Sequence, residues 1–302
     1  MKIRNTKHEI RNKFEIQNSN KQNIRSCKKN VLDFIYFDLD VISDFGFRVS
    51  SFILLLFCCA LAGCTTEYNL ATKQEETLIY GTDKEVSIGE AMAAKMEGQY
   101  DIVTDVDLNE RARKALDRIV AVCDRKDIVY FIKVIDKDLM NAVSLPGGYV
   151  YVFKGLMEKL DSDDEVAGVI AHEVAHINAR HAVKRIQSAY GALILQGLAT
   201  QSSAQVAQGV NFALISLFSA YSQQDEFEAD RLGVKYMKLA GYDPHAMTTV
   251  LEKLKKEEDK EPNREYSYWR THPFIPQRIA AVNQAITGKM DFKDYLNLME
   301  DR

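Results

Sequence analysis

The sequence predicts an α+β fold that is mostly helical and contains a small β-sheet. Several segments after residue 81 repeat apolar side chains with the 3.6-residue period of a helix. Only residues 128–135 and 149–153 are dense in the β-branched and aromatic residues typical of strands. A composition of 46% hydrophobic and 27% charged residues is ordinary for a globular protein. Because the net charge is −4, we expect no basic surface for a nucleic-acid partner.

Residues 48–63 are interpreted as a targeting segment. Residues 52–61 form an unbroken apolar run preceded by Arg48. The run is shorter than the roughly 20 residues that span a bilayer, and it fits the signal-peptide core of about 7–15 residues. It ends in Leu61-Ala62-Gly63-Cys64, which resembles the lipobox of bacterial lipoproteins, in which the Cys carries the lipid. The alternatives are a buried apolar strand or an ordinary cleaved signal.

The chain divides into four predicted segments. Residues 1–47 are a leader outside the fold, either because translation starts nearer Arg48 or because the chain has a real, disordered extension. Residues 48–63 are the lipoprotein signal peptide, 64–80 are a polar tether, and 81–302 are the folded domain. Thr65, rather than an Asp, follows the candidate lipidated Cys64. By the lipoprotein resemblance, this favours the outer membrane of a bacterial cell envelope, on its periplasmic face.

The first half of the domain contains two helices, two strands and a turn. The predicted helices cover 84–96 and 108–122, the strands cover 128–135 and 149–153, and a loop covers 141–148 with the turn signal Pro146-Gly147-Gly148. Ser162 and Glu165 then form a capping-box pattern that opens a long helix. We expect this helix to continue to about residue 185.

The second half is predicted to be helical throughout. Residues 187–224 contain no charged side chain. They are interpreted as two helices, buried or lying over a cleft, with a membrane-dipping hairpin as the alternative. Further helices are predicted at 225–239, closed by Gly241, and at 244–256 and 276–286.

The predicted long helix carries a candidate metal site. His172 and His176 are four residues apart, so they share a face one turn apart. Two imidazole nitrogens at this spacing can bind one Zn²⁺ at about 2.0–2.1 Å. Glu173, at the edge of the same face, can take a proton from a metal-activated water and return it to a leaving amine. A catalytic zinc takes three protein ligands, so the third must come from elsewhere.

A further histidine, His181, follows His176 by five residues. On a continuous helix this spacing directs His181 well off the ligand face. We interpret it as a surface residue or as one that supports a ligand, with direct metal ligation as the alternative.

A second motif identifies a family. The chain has Glu226 and Asp230 four residues apart on a distant predicted helix. Together with the HExxH motif at 172–176, this resembles the HtpX and CAAX-prenyl-protease family of gluzincin zinc metallopeptidases. The resemblance implies a zincin-type fold, one Zn²⁺ per chain, Glu226 as the third ligand and Asp230 as the partner of a ligand histidine. Helix geometry agrees with these two roles, because residues i and i+4 share a helix face. A zinc-bound His also usually donates its other N–H to a carboxylate, as Asp230 would provide. Glu228 lies off that face and is interpreted as a solvent-exposed or salt-bridged residue.

Two other segments extend this resemblance. Residues 141–152 resemble the family's edge-strand segment, which lines the cleft and on which an extended substrate adds as a further strand. The implied substrate-binding residues are Asn141, Gly147, Gly148, Tyr149, Val150 and Tyr151. His272 and Arg278 match a His-Pro…Arg element, which implies that both face the cleft and contact the substrate or the developing oxyanion. The matching His in some relatives also occupies the open zinc position as a gate.

The expected function is a zinc-dependent endopeptidase of the bacterial cell envelope. Its expected substrates are misfolded or stalled envelope proteins that present extended segments. A lipoprotein chaperone or assembly factor with gated, rare proteolysis is the main alternative. A metallohydrolase acting on non-peptide substrates is a third, which the Gly-Gly edge strand disfavours.

Overall fold

The computed structural model describes residues 65–78, 81–196 and 219–289, with side chains placed up to residue 188 and from residue 219 onwards. The leader, the signal peptide, the candidate lipid-bearing Cys64 and most of the uncharged segment therefore lie outside the described residues. The described elements confirm the prediction of a mostly helical α+β fold with small sheets. No described helix has both the length and the apolar character needed to cross a membrane.

The domain's small sheet has three strands, β3 (Phe131–Ile135), β4 (Ala142–Leu145) and β5 (Tyr149–Phe153). Strand β5 lies in the middle, parallel to β3 and antiparallel to β4. The prediction of a loop at 141–148 is thus wrong for its first half, because residues 142–145 form strand β4. The four-residue strand was missed because Ala142 and Ser144 give no strand signal. The predicted turn is present at Pro146–Gly148, where Gly147 and Gly148 adopt φ values of 73° and 101°.

A separate β-hairpin precedes the first helix. Strands β1 (Thr65–Asn69) and β2 (Gln74–Leu78) pair antiparallel, with Thr65 opposite Leu78. The interpretation of residues 64–80 as a tether is wrong for this part. Ala71 and Leu78 are buried, and Asn69 Nδ2 donates to the carbonyl of Asn178 at 3.0 Å. The polar sequence hides the hairpin because only two of its apolar side chains pack inward.

Helices α1 (Thr82–Gln99), α2 (Val106–Val122) and α3 (Lys154–Met157) frame the sheet. Helix α4 (Asp163–Asn178) follows and lies at the centre of the hydrophobic core. Every α4 residue from Glu165 to Asn178 is buried. Ser162 Oγ caps this helix by accepting the N–H of Glu165 at 3.2 Å, as predicted. Helix α4 is buried on all sides because it carries apolar side chains on several faces. The HEVAH motif at 172–176 therefore lies inside the molecule.

The predicted long helix ends earlier than expected. Helix α4 stops at Asn178, and Arg180 adopts a left-handed φ of 55° before helix α5 (His181–Gln196) begins. The prediction of one helix to about residue 185 is therefore wrong. Helical propensity does not reveal this break, because neither Ala179 nor Arg180 is a helix-breaking residue.

The remaining described helices are α6 (Gln223–Ala240), α7 (His245–Lys260), α8 (Tyr268–Thr271) and α9 (Ile275–Thr287). Of these, α6 and α7 pack against α4, and α9 packs against α6 and α7. Helix α6 begins with a capping box between Ser222 and Asp225 and ends at Gly241, which adopts the left-handed conformation with φ 75°. This end agrees with the prediction. The close packing of α6 on α4 brings the two predicted motifs to one place.

Candidate metal centre

Four side chains from three segments converge between α4, α6 and the loop after α8. His172 and His176 come from α4, Glu226 from α6, and His272 from the residue that follows α8. One potential ligand atom from each lies within 4.8 Å of all the others, and all four side chains are buried. The structure thus brings together His172, His176 and Glu226, the three residues predicted to bind the metal, and adds His272.

The spacing of these atoms suits a tetrahedral ion. Four bonds of about 2.0–2.1 Å place ligand atoms about 3.3–3.4 Å apart. The Nε2 atoms of His172 and His176 are 3.0 Å apart. The Glu226 carboxylate lies 3.5 Å from His172 Nε2 and 3.4 Å from His176 Nε2. His272 Nδ1 lies 3.4 Å from His172 Nε2 and 3.0 Å from Glu226 Oε1. Nitrogen and carboxylate donors at this spacing fit Zn²⁺.

His272 occupies the place of a fourth ligand. A catalytic zinc site keeps one position open, whereas four protein ligands close it. The His272 ring stacks on Tyr268, with 4.3 Å between ring centroids, and Tyr221 stacks on His176 at 4.1 Å. The two tyrosines help to enclose the centre, and sequence reasoning missed both. Only their positions in the sequence could have indicated that these tyrosines lie near the centre. Tyr268 lies four residues before His272, and Tyr221 directly precedes the α6 capping box.

Glu173 is completely buried beside the four potential ligands. Its Oε1 lies 3.5 Å from His272 Nε2, but neither carboxylate oxygen has a hydrogen-bond partner among the described residues. Burying a carboxylate without partners is costly. This environment suits a group that acts on a water or substrate molecule at the centre.

A second layer of charged groups holds two of the potential ligands. Asp230 Oδ1 lies 2.9 Å from His172 Nδ1, as predicted for a supporting carboxylate. Arg278 contacts both oxygens of Asp230 at 2.8 Å and Glu226 Oε2 at 2.8 Å. Asp230 and Arg278 therefore fix His172 and Glu226 in place.

Arg278 does not face a cleft. Its side chain is 1% exposed, and its guanidinium group is fully engaged by Glu226, Asp230 and the carbonyl of His272. The expectation that Arg278 contacts substrate or an oxyanion is not met in this arrangement. The His-Pro…Arg spacing indicates that Arg278 lies near His272. It does not reveal the left-handed conformation of Phe274 at the start of α9, which helps to set the direction of the helix that carries Arg278.

The surroundings set the protonation states of the potential ligands. Burial and the Arg278 cation disfavour a charged His172, but Asp230 and Glu226 outweigh them and raise the pKa of His172 to about 9. Burial lowers the pKa of His176 well below its ordinary value. Burial acts to raise the pKa of Glu226, yet Arg278 and His272 hold it well below its usual range. At neutral pH Glu226 is therefore a carboxylate and His176 is neutral, the forms that bind metals.

His181 lies against His176 rather than at the surface. The two Nδ1 atoms are 2.8 Å apart, and His181 is buried. Glu228 is 3.3 Å from His181 Nε2 and 3.6 Å from Arg231, so it is a salt-bridged residue as interpreted. Of the three readings of His181 left open by the sequence, namely a surface residue, a residue that supports a ligand and a metal ligand, the structure favours the one in which it supports a ligand.

Five of the six predicted substrate-binding residues fall into two groups. Tyr149, Val150 and Tyr151 lie on the central strand β5, both edges of which are paired, so their assignment to an edge strand is wrong. Gly147 and Gly148 form the turn before β5 and pack against the backbone of residues 86 and 129. Strand β4 is the edge strand next to α4 instead.

Asn141 precedes β4 and fastens it to the His272 segment. Its Nδ2 donates to the Tyr266 carbonyl at 2.7 Å, and its Oδ1 accepts from Thr271 Oγ1 at 3.2 Å. The edge strand and the loop that carries His272 are therefore tied together.

The HExxH helix, the facing Glu-x-x-x-Asp helix and the adjacent small sheet together form the fold of the zincin-type metallopeptidases. The chain belongs to peptidase family M48, whose family model matches residues 107–286. Members of this family are zinc metallopeptidases, and the donor set described above fits zinc.

Curated relatives come from bacteria and from mitochondria. The chain is 33% identical to the mitochondrial metalloendopeptidase OMA1 of Schizosaccharomyces pombe over 57% of this chain and 51% of that protein. It is 26% identical to the beta-barrel assembly-enhancing protease of Escherichia coli K12, over 72% of this chain and 46% of that protein. It is 31% identical to the metalloprotease LoiP of the same organism, over 49% and 60%. The chain thus spans about half the length of these relatives.

Proposed function

We propose that this chain is a zinc-dependent endopeptidase whose zinc is held by His172, His176 and Glu226. The observation that supports the proposal best is the buried cluster of ligand atoms at tetrahedral spacing, next to the unpartnered carboxylate of Glu173. One zinc ion per chain is expected. When bound, zinc supplies a Lewis acid that polarises the scissile carbonyl and makes water a nucleophile near neutral pH.

Glu173 is proposed as the general base. It accepts a proton from the attacking water and returns it to the nitrogen of the leaving amine, so the peptide bond is replaced by a carboxylate and a free amine. Asp230 and Arg278 keep His172 and Glu226 in position. His272 Nε2, 3.5 Å from Glu173, can donate to the developing oxyanion once its ring has left the fourth ligand position.

Gated proteolysis is the second candidate function, and the position of His272 favours it. The four potential ligands and Glu173 are buried, so a substrate reaches them only after His272 and the rings around it move. A chaperone or assembly factor that cleaves rarely would have such a resting state. The intact Glu173 favours the peptidase, since binding alone does not require a base.

The proposed substrates are misfolded or stalled envelope proteins that present extended segments. In β4, Phe153 N donates to Asn141 O, so by alternation Ala142 and Ser144 direct their backbone groups away from β5. Ser144 also has a buried hydroxyl that makes no hydrogen bond to any described residue. No described strand pairs with this outer edge of β4, which is the proposed place where a substrate strand adds. Because β4 is buried and the N–H of Ala142 donates to Asn141 Oδ1 at 2.8 Å, a substrate strand pairs there only after the covering residues move and this hydrogen bond breaks. A relative named beta-barrel assembly-enhancing protease is consistent with envelope clients.

The proposed location is the periplasmic face of a bacterial outer membrane, with Cys64 as the lipid-bearing residue. Incorporation of labelled fatty acid into the full-length chain and into its Cys64→Ser variant tests this location. We expect label in the first and none in the second. Equal labelling of both would contradict the anchor without affecting the zinc site.

The peptidase assignment is tested with the full-length chain and its Glu173→Gln variant. We expect both to bind about one zinc per chain and only the first to cleave an unfolded protein such as casein. Glu252→Gln, a change of an exposed glutamate on α7, is the matched control and should cleave like the unmodified chain.

Three outcomes of this experiment are informative. Zinc binding without cleavage by either form, together with cleavage by His272→Ala, would support the gated function. Cleavage by Glu173→Gln at the unmodified rate would refute the general base. Failure of the unmodified chain to bind zinc would refute the ligand assignment.

A further inference from the structure

The turn between α4 and α5 returns the chain to the metal centre. On a continuous helix His181 would be rotated by about 140° from His176, because five residues advance the helix by about 500°. The break at Ala179 and Arg180 changes this direction. His181 Nδ1 instead lies 2.8 Å from His176 Nδ1.

The turn is held in an uncommon backbone conformation. Arg180 has a φ of 55°, which is rare for a residue other than glycine and persists only where the surroundings impose it. Its guanidinium group contacts Glu67 Oε2 at 2.6 Å and the Thr82 hydroxyl at 3.3 Å. Contacts to β1 and α1 therefore stabilise the conformation that directs His181 inward.

We propose that His181 is a positioning residue that fixes the tautomer and orientation of His176. The proposal rests on His176 being a zinc ligand, as in the proposed function. His176 directs Nε2 toward the other potential ligands, so its Nδ1 carries the proton when Nε2 binds a metal. His181 Nδ1 must then be the acceptor of the 2.8 Å hydrogen bond.

The other nitrogen of His181 completes the chain of hydrogen bonds. Because Nδ1 accepts, Nε2 of the neutral His181 ring carries the proton. That nitrogen faces two carboxylates, Glu228 at 3.3 Å and Asp225 at 3.5 Å. One assignment of protons thus satisfies both hydrogen bonds. His176 Nδ1–H donates to His181 Nδ1, and His181 Nε2–H donates to the acidic residues of α6.

The two ligand histidines are therefore supported in different ways. His172 contacts a buried carboxylate directly, and that carboxylate is paired with Arg278. His176 reaches its carboxylates only through His181, and Glu228 and Asp225 are 25% and 36% exposed. Loss of His181 would leave the His176 Nδ1–H buried without an acceptor, since no other acceptor is bonded to it among the described side chains.

Zinc affinity tests the proposal on the full-length chain, by competition with a chelator of known affinity. His181→Ala should weaken zinc binding by about 10–100-fold, the range for residues that orient metal ligands. His181→Gln should lose less, because its amide oxygen can accept from His176 and its amide N–H₂ can donate to Glu228. His245→Ala, the same change at an exposed histidine of α7, is the matched control and should bind like the unmodified chain.

Unchanged affinity in His181→Ala would refute the proposal, and so would a His181→Gln variant as weak as the alanine variant. Either result leaves the peptidase assignment intact, because the unmodified chain would still bind zinc and cleave. Absence of zinc binding by the unmodified chain would instead refute the proposed function.

A second measurement does not depend on the variants folding. In the zinc-loaded full-length chain, long-range ¹H–¹⁵N correlation spectra of the histidine rings distinguish the two neutral tautomers. We expect His176 protonated on Nδ1 and His181 protonated on Nε2. A His181 ring protonated on Nδ1 would overturn the proposal, because that nitrogen could no longer accept a hydrogen bond from His176.

Discussion

Arg278 connects the two acidic residues of α6 that face the metal centre. Glu226 and Asp230 are both buried, and Arg278 is the cation that lies within 2.8 Å of each of them among the described residues. Removing one member of a buried ionic group leaves the other charges uncompensated in a low-dielectric interior. The residue therefore has a structural role that its spacing from His272 did not reveal.

Substitution of this residue has a large predicted effect on stability. Arg278→Met should lower the free energy of unfolding of the metal-free chain by about 3–5 kcal/mol, because two buried carboxylates lose their cation. Urea denaturation in the presence of a chelator measures this difference. Arg270→Met, the same change at an exposed arginine of α8, should alter stability by no more than about 0.5 kcal/mol. Equal unfolding midpoints for Arg278→Met and the unmodified chain would contradict the buried ionic network.

The residues for which we propose direct chemical roles were the easiest to predict from sequence. His172, Glu173 and His176 form a fixed pattern on one helix, and Glu226 and Asp230 form another at helical spacing. Each pattern needs only local helix geometry to bring its members to one face. The supporting contacts of His181, Arg278, Tyr221 and Tyr268 depend on how separate elements pack, and short sequence spacing does not specify packing.

At the scale of elements, the contact between α1 and the turn at 146–148 holds the sheet in place. A Cβ atom added to Gly89 would lie 2.0 Å from the Pro146 carbonyl oxygen, and no such approach is possible without movement of the backbone. Glu85, one turn earlier, accepts the N–H of Gly147 at 3.2 Å and pairs with Arg125. Helix α1 thereby fixes the turn that joins β4 to β5.

Two glycines of the same helix give a matched test of this contact. Gly89→Ala should lower the free energy of unfolding by about 1–3 kcal/mol because it overpacks the turn. Gly98→Ala should raise it by up to about 1 kcal/mol, because alanine favours a helix and nothing lies within 4 Å of the added carbon. Both values come from urea denaturation monitored by circular dichroism. A Gly89→Ala variant as stable as Gly98→Ala would show that the turn does not pack against α1.

The elements missed from sequence are short or depend on single residues. Strand β4 has four residues, and the hairpin at 65–78 buries few apolar side chains. The break between α4 and α5 depends on the contacts of Arg180 with Glu67 and Thr82, which are distant in sequence. In contrast, the long periodic segments of α1, α2, α6 and α7 were predicted to within a few residues, and β5 was predicted at its observed bounds.

At the scale of the whole molecule, the buried metal centre links three parts of the chain that are far apart in sequence. α4, α6 and the loop after α8 each contribute at least one potential ligand. Glu173 and Glu226 are both buried at this centre, where their carboxylates lie 3.5 Å and 3.0 Å from the nitrogens of His272. A metal that binds only the folded chain stabilises it in proportion to the logarithm of its concentration relative to Kd.

Metal binding should therefore raise the thermal stability of the chain. At a free zinc concentration of about 100 times Kd, the stabilisation is about 2.7 kcal/mol. For a domain of this size that corresponds to a rise in Tm of about 5–10 °C. Differential scanning calorimetry with zinc or with chelator measures this rise. Glu173→Gln should show the same rise in Tm, because Glu173 is not a proposed zinc ligand. His176→Ala should show a much smaller rise, and an equal rise in both variants would mean that zinc binds elsewhere.

The left-handed turn at Arg180 also determines how much of this chain must be transplanted to reproduce its zinc site in another scaffold. A grafted helix that carries only His-Glu-Val-Ala-His would supply two donor nitrogens but no acceptor behind the second. For the ligand helix, the smallest segment to transplant runs from Ala171 to His181 and includes the turn, together with residues that make the contacts of Glu67 and Thr82 with Arg180. Glu226 must be supplied by a second segment. An insertion or deletion of one residue between Ile177 and Arg180 would leave the HExxH motif intact in the sequence. It would also remove the hydrogen bond that His181 makes to His176.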